Sequence, residues 1–217
     1  MKKLFLILTL AMFTFVGKGY AEVTYGISGA LTQIDASGTE TEGGETNSDD
    51  VTNTVVVPSI FVEYAYSDTI SIGLDYIPIS ADVSSKTKSR SDTETSVTGT
   101  VTTTSTSRTQ SAQAELENHI TLYANYDLGG YFAKIGVAQV TLNTQESLGT
   151  GSAYGNEDIY GGVFGIGAQQ DNHRFEIVYT DYEDISITST VARTGVTTNN
   201  KIDADLDTIA FKYSYVF

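Results

Sequence analysis

The 217-residue sequence predicts an all-β fold, an eight-stranded antiparallel up-and-down transmembrane β-barrel with short periplasmic turns and long extracellular loops. Three observations predict it. The chain begins with an export segment, eight later segments alternate apolar and polar residues, and the connections between them are alternately short and long. We expect residues 1–21 to be a cleaved signal peptide and residues 22–217 to form one barrel domain.

The export segment has the order of a secretory signal. Lys2 and Lys3 give a positive start, residues 4–16 form an apolar run, and Gly19 and Ala21 stand where a signal peptidase reads small residues. The apolar run is too short for a spanning helix, although an uncleaved N-terminal anchor is the alternative. No later segment is long and apolar enough for such a helix, so we expect a periplasmic, surface or barrel protein.

Composition excludes several kinds of site. The chain has no cysteine, so disulfides and thiolate metal sites are excluded, and we expect no cofactor. The formal net charge is −15, and removal of the three signal lysines makes the mature chain more acidic still. Such a chain repels nucleic acid, so no nucleic-acid partner is expected.

Eight segments carry the alternation of a strand with two different faces. The last is the clearest, because it places Ile209, Phe211, Tyr213, Tyr215 and Phe217 on one face. The predicted strands are approximately 22–34, 54–66, 70–83, 114–128, 131–142, 159–170, 173–188 and 202–217.

The connections between these segments alternate in length, as expected for an up-and-down barrel in an outer membrane. An even number of strands then places both ends of the mature chain on the periplasmic, short-turn side. The tight turns are at 67–69, 129–130 and 171–172, and the long loops are about 35–53, 84–113, 143–158 and 189–201.

The three tight turns predict the strand registers independently of the alternation. They pair Val62 with Leu74, Leu122 with Val137, and Phe164 with Tyr179, together with neighbours of the same kind. All three hairpins therefore give the same apolar face. Because this face carries little charge over the length of a membrane crossing, we expect it to contact lipid, with a soluble barrel as the alternative.

The opposite face is small, polar and sparsely charged, as suits the narrow interior of an eight-stranded barrel. Glu63, Lys134, Glu176 and Lys212 lie at similar heights on it. Since buried charges need partners, we predict a lumenal ion-pair network that closes the interior, with Glu176 and Lys212 as the favoured pair. The alternative is that each charge reaches buried water separately.

The signal, the eight strands, the four long loops and the terminal sequence Lys212–Tyr213–Ser214–Tyr215–Val216–Phe217 together resemble the small outer-membrane barrels of the OmpA/OmpX and opacity-protein type. The resemblance implies a bacterial outer-membrane location and contact with outer-membrane lipid. It also implies that Tyr213, Tyr215 and Phe217 form the C-terminal signal read by the barrel assembly machinery during biogenesis.

Two loops are the candidates for a surface ligand. Loop 35–53 is acidic but lacks the ligand spacing of a calcium loop, so we predict no metal site and expect a solvated loop. Loop 84–113 is rich in Ser and Thr, and Gly99 lies near its middle. It is either a hairpin that projects beyond the membrane, with an edge suited to adhesion, or a flexible polar loop.

An enzyme is the rival class. His119–Ile120–Thr121 faintly resembles a His-x-Ser motif of lipid A deacylases, but alternation places His119 in the lumen, and His173 lies at a periplasmic turn. We predict no catalytic residues. The expected function is structural or adhesin-like surface interaction, and the alternatives are a lipid-A-modifying or other barrel enzyme and a narrow solute channel.

Overall fold

A computed structural model describes residues 23–42, 45–84, 88–98, 101–147, 153–189 and 199–217. The predicted signal peptide lies outside the described residues. The strands are β1 Val23–Glu42, β2 Glu45–Ala65, β3 Ile70–Ile77, β4 Ala81–Asp82, β5 Lys88–Thr98, β6 Val101–Asp127, β7 Tyr131–Ser147, β8 Asn156–Gln170, β9 His173–Tyr182, β10 Ile185–Thr188 and β11 Lys201–Val216.

The strands close into a barrel of eight antiparallel walls, as predicted. The order runs β1-β2-β3-β6-β7-β8-β9-β11, and β1 pairs with β11 from Gly26 opposite Val216 to Thr41 opposite Lys201. The short β4 and β10 continue the walls of β3 and β9, and β5 forms a hairpin with β6. Closure leaves no free sheet edge around the barrel's lower half, and a lipid-facing sheet requires this.

The predicted hairpin registers are those of the structure. Val62 lies opposite Leu74, Leu122 opposite Val137, and Phe164 opposite Tyr179. These side chains face outward, and many large apolar residues of this face are exposed. Among the most exposed are Leu31, Tyr126, Tyr131, Ile135, Phe164, Ile166, Phe175 and Phe211. An apolar surface of this extent has no place in water, so it is the lipid-facing surface of a membrane barrel.

A carboxylate ends this apolar band on five of the eight walls, at the end opposite the tight turns. Along each of these strands, counted from the tight-turn end toward the opposite end, one acidic side chain is the first on the outer face. These residues are Asp35, Glu117, Asp158, Asp181 and Asp207. Carboxylates are too costly to bury in hydrocarbon, so they mark the extracellular boundary of the membrane-spanning part.

Two of the predicted loops contain paired strand, because the strands continue past this boundary. The prediction of a solvated loop at 35–53 was wrong, whereas 84–113 has the projecting hairpin that was one of its two alternatives. Residues 35–53 are largely paired strand, since β1 reaches Glu42 and β2 begins at Glu45. Within 84–113, β5 pairs with β6 as a hairpin. Alternating Ser, Thr and Val favour strand even where polarity suggests a loop. We call the paired residues beyond the boundary (35–42, 45–52, β5, 101–117, 141–147, β10 and 201–207) the extracellular extension.

Two predicted strands are interrupted. The segment 70–83 breaks after Ile77 because Pro78 has no backbone donor for the ladder. The segment 173–188 breaks at Glu183, whose backbone N–H donates to the Tyr160 carbonyl (2.8 Å) while its side chain accepts from the Tyr160 N–H (2.9 Å). In the described residues no helix is long and apolar enough to cross a membrane.

The interior has two layers. The half near the tight turns contains buried charged and polar side chains, and the extracellular half contains an apolar cluster that continues into the extracellular extension. The cluster includes Ile34, Val83, Leu116, Val140, Leu142, Tyr154, Ile159, Ile185, Ile187 and Leu206.

Candidate functional site

Three buried ion pairs fill the lower lumen. Arg174 donates two hydrogen bonds to Glu63, at 2.6 Å and 2.8 Å, in the bidentate geometry that suits a guanidinium and a carboxylate. Lys134 pairs with Glu176, and Lys212 pairs with Asp75. The set therefore contains three acids and three bases, so its formal charges cancel.

The four residues predicted for this network all lie in the lumen, but the favoured pair was wrong. Glu176 and Lys212 are opposite each other on β9 and β11, yet each side chain has a different partner. Lys134 reaches Glu176 across β8, where Gly165 and Gly167 stand between them in the register. Because Gly165 lacks a side chain, the Lys134 side chain can pass over it on the lumenal side, while the Phe132 ring covers Gly167.

Sequence reasoning did not assign Arg174 or Asp75 to the network. Arg174 follows His173 directly after the turn, has the same alternation as Glu176 and faces inward. Its guanidinium lies between Phe61 and Phe132, 5.1 Å and 5.3 Å from the ring centroids. These rings close the periplasmic end of the lumen around a charge that is already paired.

Two uncharged side chains also donate hydrogen bonds to the Glu63 carboxylate. Its Oε1 accepts from the Tyr123 hydroxyl at 2.8 Å and from the Asn125 amide at 2.9 Å, in addition to Arg174. The Tyr123 ring also covers Gly73 and has the Lys134 ammonium 4.1 Å from its centroid. Two of the three donors lie on β6 and the third on β9, so this carboxylate of β2 ties three strands together across the lumen.

The predicted C-terminal signal lies on the outside of the barrel, at the end with the tight turns. Tyr213 stacks on His173 (6.0 Å between centroids), Tyr215 meets Phe217 edge to face (5.2 Å), and Phe217 stacks on Tyr25 (5.4 Å). Aromatic residues of this kind favour the interface between hydrocarbon and water. The first and last strands are therefore joined by aromatic contacts as well as by their ladder.

His119 is half-buried and faces the lumen, as alternation predicts. A β-bulge between Glu117 and Ile120, with Asn118 at a positive φ of 54°, interrupts the ladder beside it. The imidazole Nε2 lies 3.4 Å from the Thr121 hydroxyl and 3.4 Å from the Tyr182 hydroxyl. This neutral polar trio is the second polar group in the lumen, above the ion pairs.

The outer surface of the extracellular extension is acidic. Asp35, Asp207 and Asp181 lie opposite one another on β1, β11 and β9. Farther out, Asp203 pairs with Lys201 at 2.7 Å, and hydrogen bonds from Lys201 and Ser186 lower the pKa of the Asp203 carboxyl. We call the outer surface of the extracellular extension the rim. The part of the rim that carries these carboxylates is therefore anionic near neutral pH.

Comparisons with known proteins give likenesses of fold only. No protein-family model matches the sequence, and no curated protein matches it. Among solved structures, the Yersinia pestis attachment invasion locus protein Ail is 9% identical, with 90% of this chain and 99% of that chain covered and a TM-score of 0.38. Neisserial surface protein A is 10% identical, with 88% and 98% covered and a TM-score of 0.37.

The Escherichia coli outer-membrane protease OmpT is 10% identical over 90% of this chain and 96% of that chain, with a TM-score of 0.43. The geometry of the chain itself carries the assignment: a closed wall, an apolar outer band that ends in carboxylates, and a filled interior. The chain is a small eight-stranded antiparallel β-barrel of the bacterial outer membrane.

Proposed function

We propose that this chain works at the cell surface as a structural or adhesin-like interaction protein, and that the extracellular extension carries this function. One observation carries the proposal. The strands continue as paired ladders well beyond the membrane, and β6 alone has 27 residues, whereas about 9–11 suffice for a tilted strand to cross. The strands are longer than a membrane crossing requires, so the additional residues lie outside the bilayer.

Packing supports a preformed binding surface. Ile185, Ile187 and Leu206 are buried on the inner side of the extracellular extension. Tyr154 joins two strands there, since its hydroxyl donates to Glu40 (2.9 Å) and its backbone N–H donates to Glu146 (2.6 Å). A surface ordered before binding loses less conformational entropy when a partner binds, so rigid ladders favour recognition.

The filled lumen favours surface interaction over a solute channel, because paired charges occupy the lower half and apolar side chains the upper half. We also propose that the protein has no enzymatic activity. The lumenal histidine contacts a threonine and a tyrosine, an arrangement that differs from the Ser–His–acid geometry of the enzyme alternative.

Charge and strand edges suggest the kind of partner. The described pairing of β5 is with β6 alone, so the hairpin's other edge offers backbone groups to an extended polypeptide. The acidic rim favours a neutral or basic partner. Ail was solved in complex with the heparin analogue sucrose octasulfate, but the rim of this chain would repel such a polyanion.

Shortening the hairpin tests the proposal. Replacing residues 91–109 by Asn-Gly keeps Arg90 opposite Gln110, so the remaining ladder keeps its register. We expect cells carrying this variant to lose most adhesion to protein-coated surfaces, with unchanged heat-modifiable gel mobility of the barrel. Asp203→Asn, elsewhere on the rim, is the matched surface control. Adhesion equal to that of the parent chain would refute a role for the hairpin.

A further inference from the structure

The barrel wall has a lateral slot. The ladder between β2 and β3 runs from Ala65 opposite Ser71 to Ile60 opposite Tyr76 and ends there. Beyond it β2 continues against β1, whereas β4 pairs with β6, and no ladder joins β2 to β4 in the described residues. We call the gap between residues 54–59 of β2 and residues 78–80 the slot.

The two prolines of the chain flank this slot. Pro58 lies on β2, and Pro78 directly follows β3. Proline has no N–H and is tolerated in a ladder where its nitrogen faces away from the partner strand. Pro58 lies within the continuous β1–β2 ladder, so its nitrogen faces the slot. Neither proline can donate a backbone hydrogen bond across the slot. The two sides of the slot are therefore less able to pair as a ladder.

The slot opens toward the hydrocarbon of the outer leaflet. Val56 and Ile60 on one side are 71% and 52% exposed, and Ile79 on the other is 44% exposed. The upper end is bridged by the Asn53 amide, which donates to the Asp82 carbonyl at 2.9 Å. Thr52, the next residue along β2, lies opposite Asp35 at the extracellular boundary. A molecule at the slot is therefore in lipid, just below the headgroups.

A cavity of about 100 Å³ lies behind the slot. Val55, Val57, Ile77 and Ile79 contribute to its lining, so residues from both sides of the slot face it. Its walls are mostly apolar, and the paired Lys212 and Asp75 form its floor. Ile79 is exposed on the outer surface and also contributes to the lining, so a single side chain lies between the lipid and the cavity at this position.

The polar trio of His119, Thr121 and Tyr182 also lines the cavity. Its contacts of 3.4 Å are longer than the 2.7–3.2 Å of well-formed hydrogen bonds. A hydroxyl or carbonyl placed among these groups would form shorter bonds. The charged side chains of the lining are Asp75, Lys134 and Lys212, and each is in an ion pair, Lys134 with Glu176 behind the lining. Because no charge of the lining lacks a partner, the cavity favours a neutral ligand.

We propose that the cavity binds a small, neutral, mostly hydrocarbon molecule with one hydroxyl or carbonyl group, which enters from the outer leaflet through the slot. The apolar walls hold the hydrocarbon part, and the polar trio binds the oxygen. A well-formed apolar pocket with a few convergent polar groups is the usual form of a small-molecule site. This binding activity is separate from surface interaction and does not depend on the extracellular hairpin.

The test uses the full barrel in lipid nanodiscs and butan-1-ol as the probe. Titration followed by methyl NMR of Val57 and Val163 should give saturable shifts. Loss of one hydrogen bond makes 1-chlorobutane bind about five- to tenfold more weakly. Ala210→Phe, which fills the cavity from its lining, should abolish binding, and Val137→Phe on the lipid face is its matched control.

Further variants separate the parts of the proposal and guard against misfolding. Tyr182→Phe removes one hydroxyl and should weaken butan-1-ol binding several-fold while 1-chlorobutane is unaffected. Val56→Trp, at the outer side of the slot and outside the cavity lining, should slow exchange into the cavity without a change in affinity, and equal exchange rates would overturn the slot as the route. Shifts that never saturate, or that are the same in Ala210→Phe, mean partition into lipid alone and overturn the site.

Discussion

The contribution of each lumenal charge to stability depends on its ion-pair partner. Each ion of the three pairs is buried, and the free-energy cost of leaving water is offset only while its partner is present. Besides its partner Arg174, Glu63 accepts two further hydrogen bonds, from Tyr123 and Asn125. The contribution of one such residue therefore depends on whether its partner is still there.

Breaking one pair should be costly. Lys134→Met leaves Glu176 buried without its partner, and we expect the free energy of unfolding to fall by about 3–5 kcal/mol. The double variant Lys134→Met, Glu176→Leu should recover most of this loss. Urea unfolding in lipid vesicles, followed by tyrosine fluorescence because the chain has no tryptophan, measures both values.

The exposed Lys201–Asp203 pair is the matched control, since its side chains are 49% and 51% exposed. Lys201→Met should change the free energy of unfolding by less than about 1 kcal/mol. A loss for Lys134→Met as small as that for Lys201→Met would show that water, and not an ion pair, satisfies the lumenal charges.

Asp35, Asp207 and Asp181 form a row on the outer face, and replacing one of these carboxylates should raise the free energy of unfolding instead of lowering it. Like charges directly opposite each other in a sheet are destabilising, and Asp207 lies between two carboxylates. Asp207→Asn should therefore raise the free energy of unfolding by about 0.2–1 kcal/mol at low salt. The gain should shrink at high salt, and a gain that is independent of salt would argue against repulsion as its cause.

Alternation along each strand was sufficient to predict which residues are in the lumen, but not which of them pair. Alternation fixes the face of Glu176 and Lys212 and their proximity. Their partners depend on the lengths of the side chains that cross the lumen and on Gly165, which leaves space for the Lys134 side chain. This information lies in the three-dimensional closure of the wall.

At the level of strands, the tight turns specified the registers well because a two- or three-residue connection leaves a single register that keeps the apolar face continuous. The extracellular extension, apart from the hairpin alternative for 84–113, was missed for the opposite reason. Its residues are polar on the outer face, and its inner face uses small apolar residues such as Ala36 and Val51, whose alternation is weak in sequence. Packing against the apolar cluster fixes their structure.

The terminal strand carries a prediction about assembly. We expect deletion of Phe217 to lower the amount of folded barrel in the outer membrane of cells several-fold, because the barrel assembly machinery is expected to read the aromatic end. Refolding of the purified chain into detergent should be affected much less, since Phe217 lies outside the core and is 55% exposed. Heat-modifiable gel mobility measures both.

A matched variant separates recognition from packing. Tyr25→Ala removes the ring that stacks on Phe217 but leaves the C-terminus unchanged. If Tyr25→Ala lowers the cellular amount as much as the Phe217 deletion does, the aromatic contact itself, and not a signal at the end of the chain, explains the loss.

At the scale of the whole molecule, two closures in series block the axis of the barrel. The first consists of the three ion pairs with Phe61 and Phe132 around Arg174, and the second is the apolar cluster of the extracellular half. Ions cross neither a paired, desolvated charge layer nor an apolar constriction that excludes water. The lateral slot leads into the space between the closures and so gives no path from one side of the membrane to the other.

Planar bilayer recording tests this arrangement. We expect the parent chain to give no stepwise conductance, and we expect the same of the double variant Glu63→Ala, Arg174→Ala, because removal of the lower closure leaves the apolar cluster intact. Conductance should appear only when the upper closure is opened as well, for example by adding Leu116→Gly and Leu206→Gly to the lower pair. Steady conductance steps from the parent chain would mean that the interior opens in the membrane and would restore the solute channel as the function of this barrel.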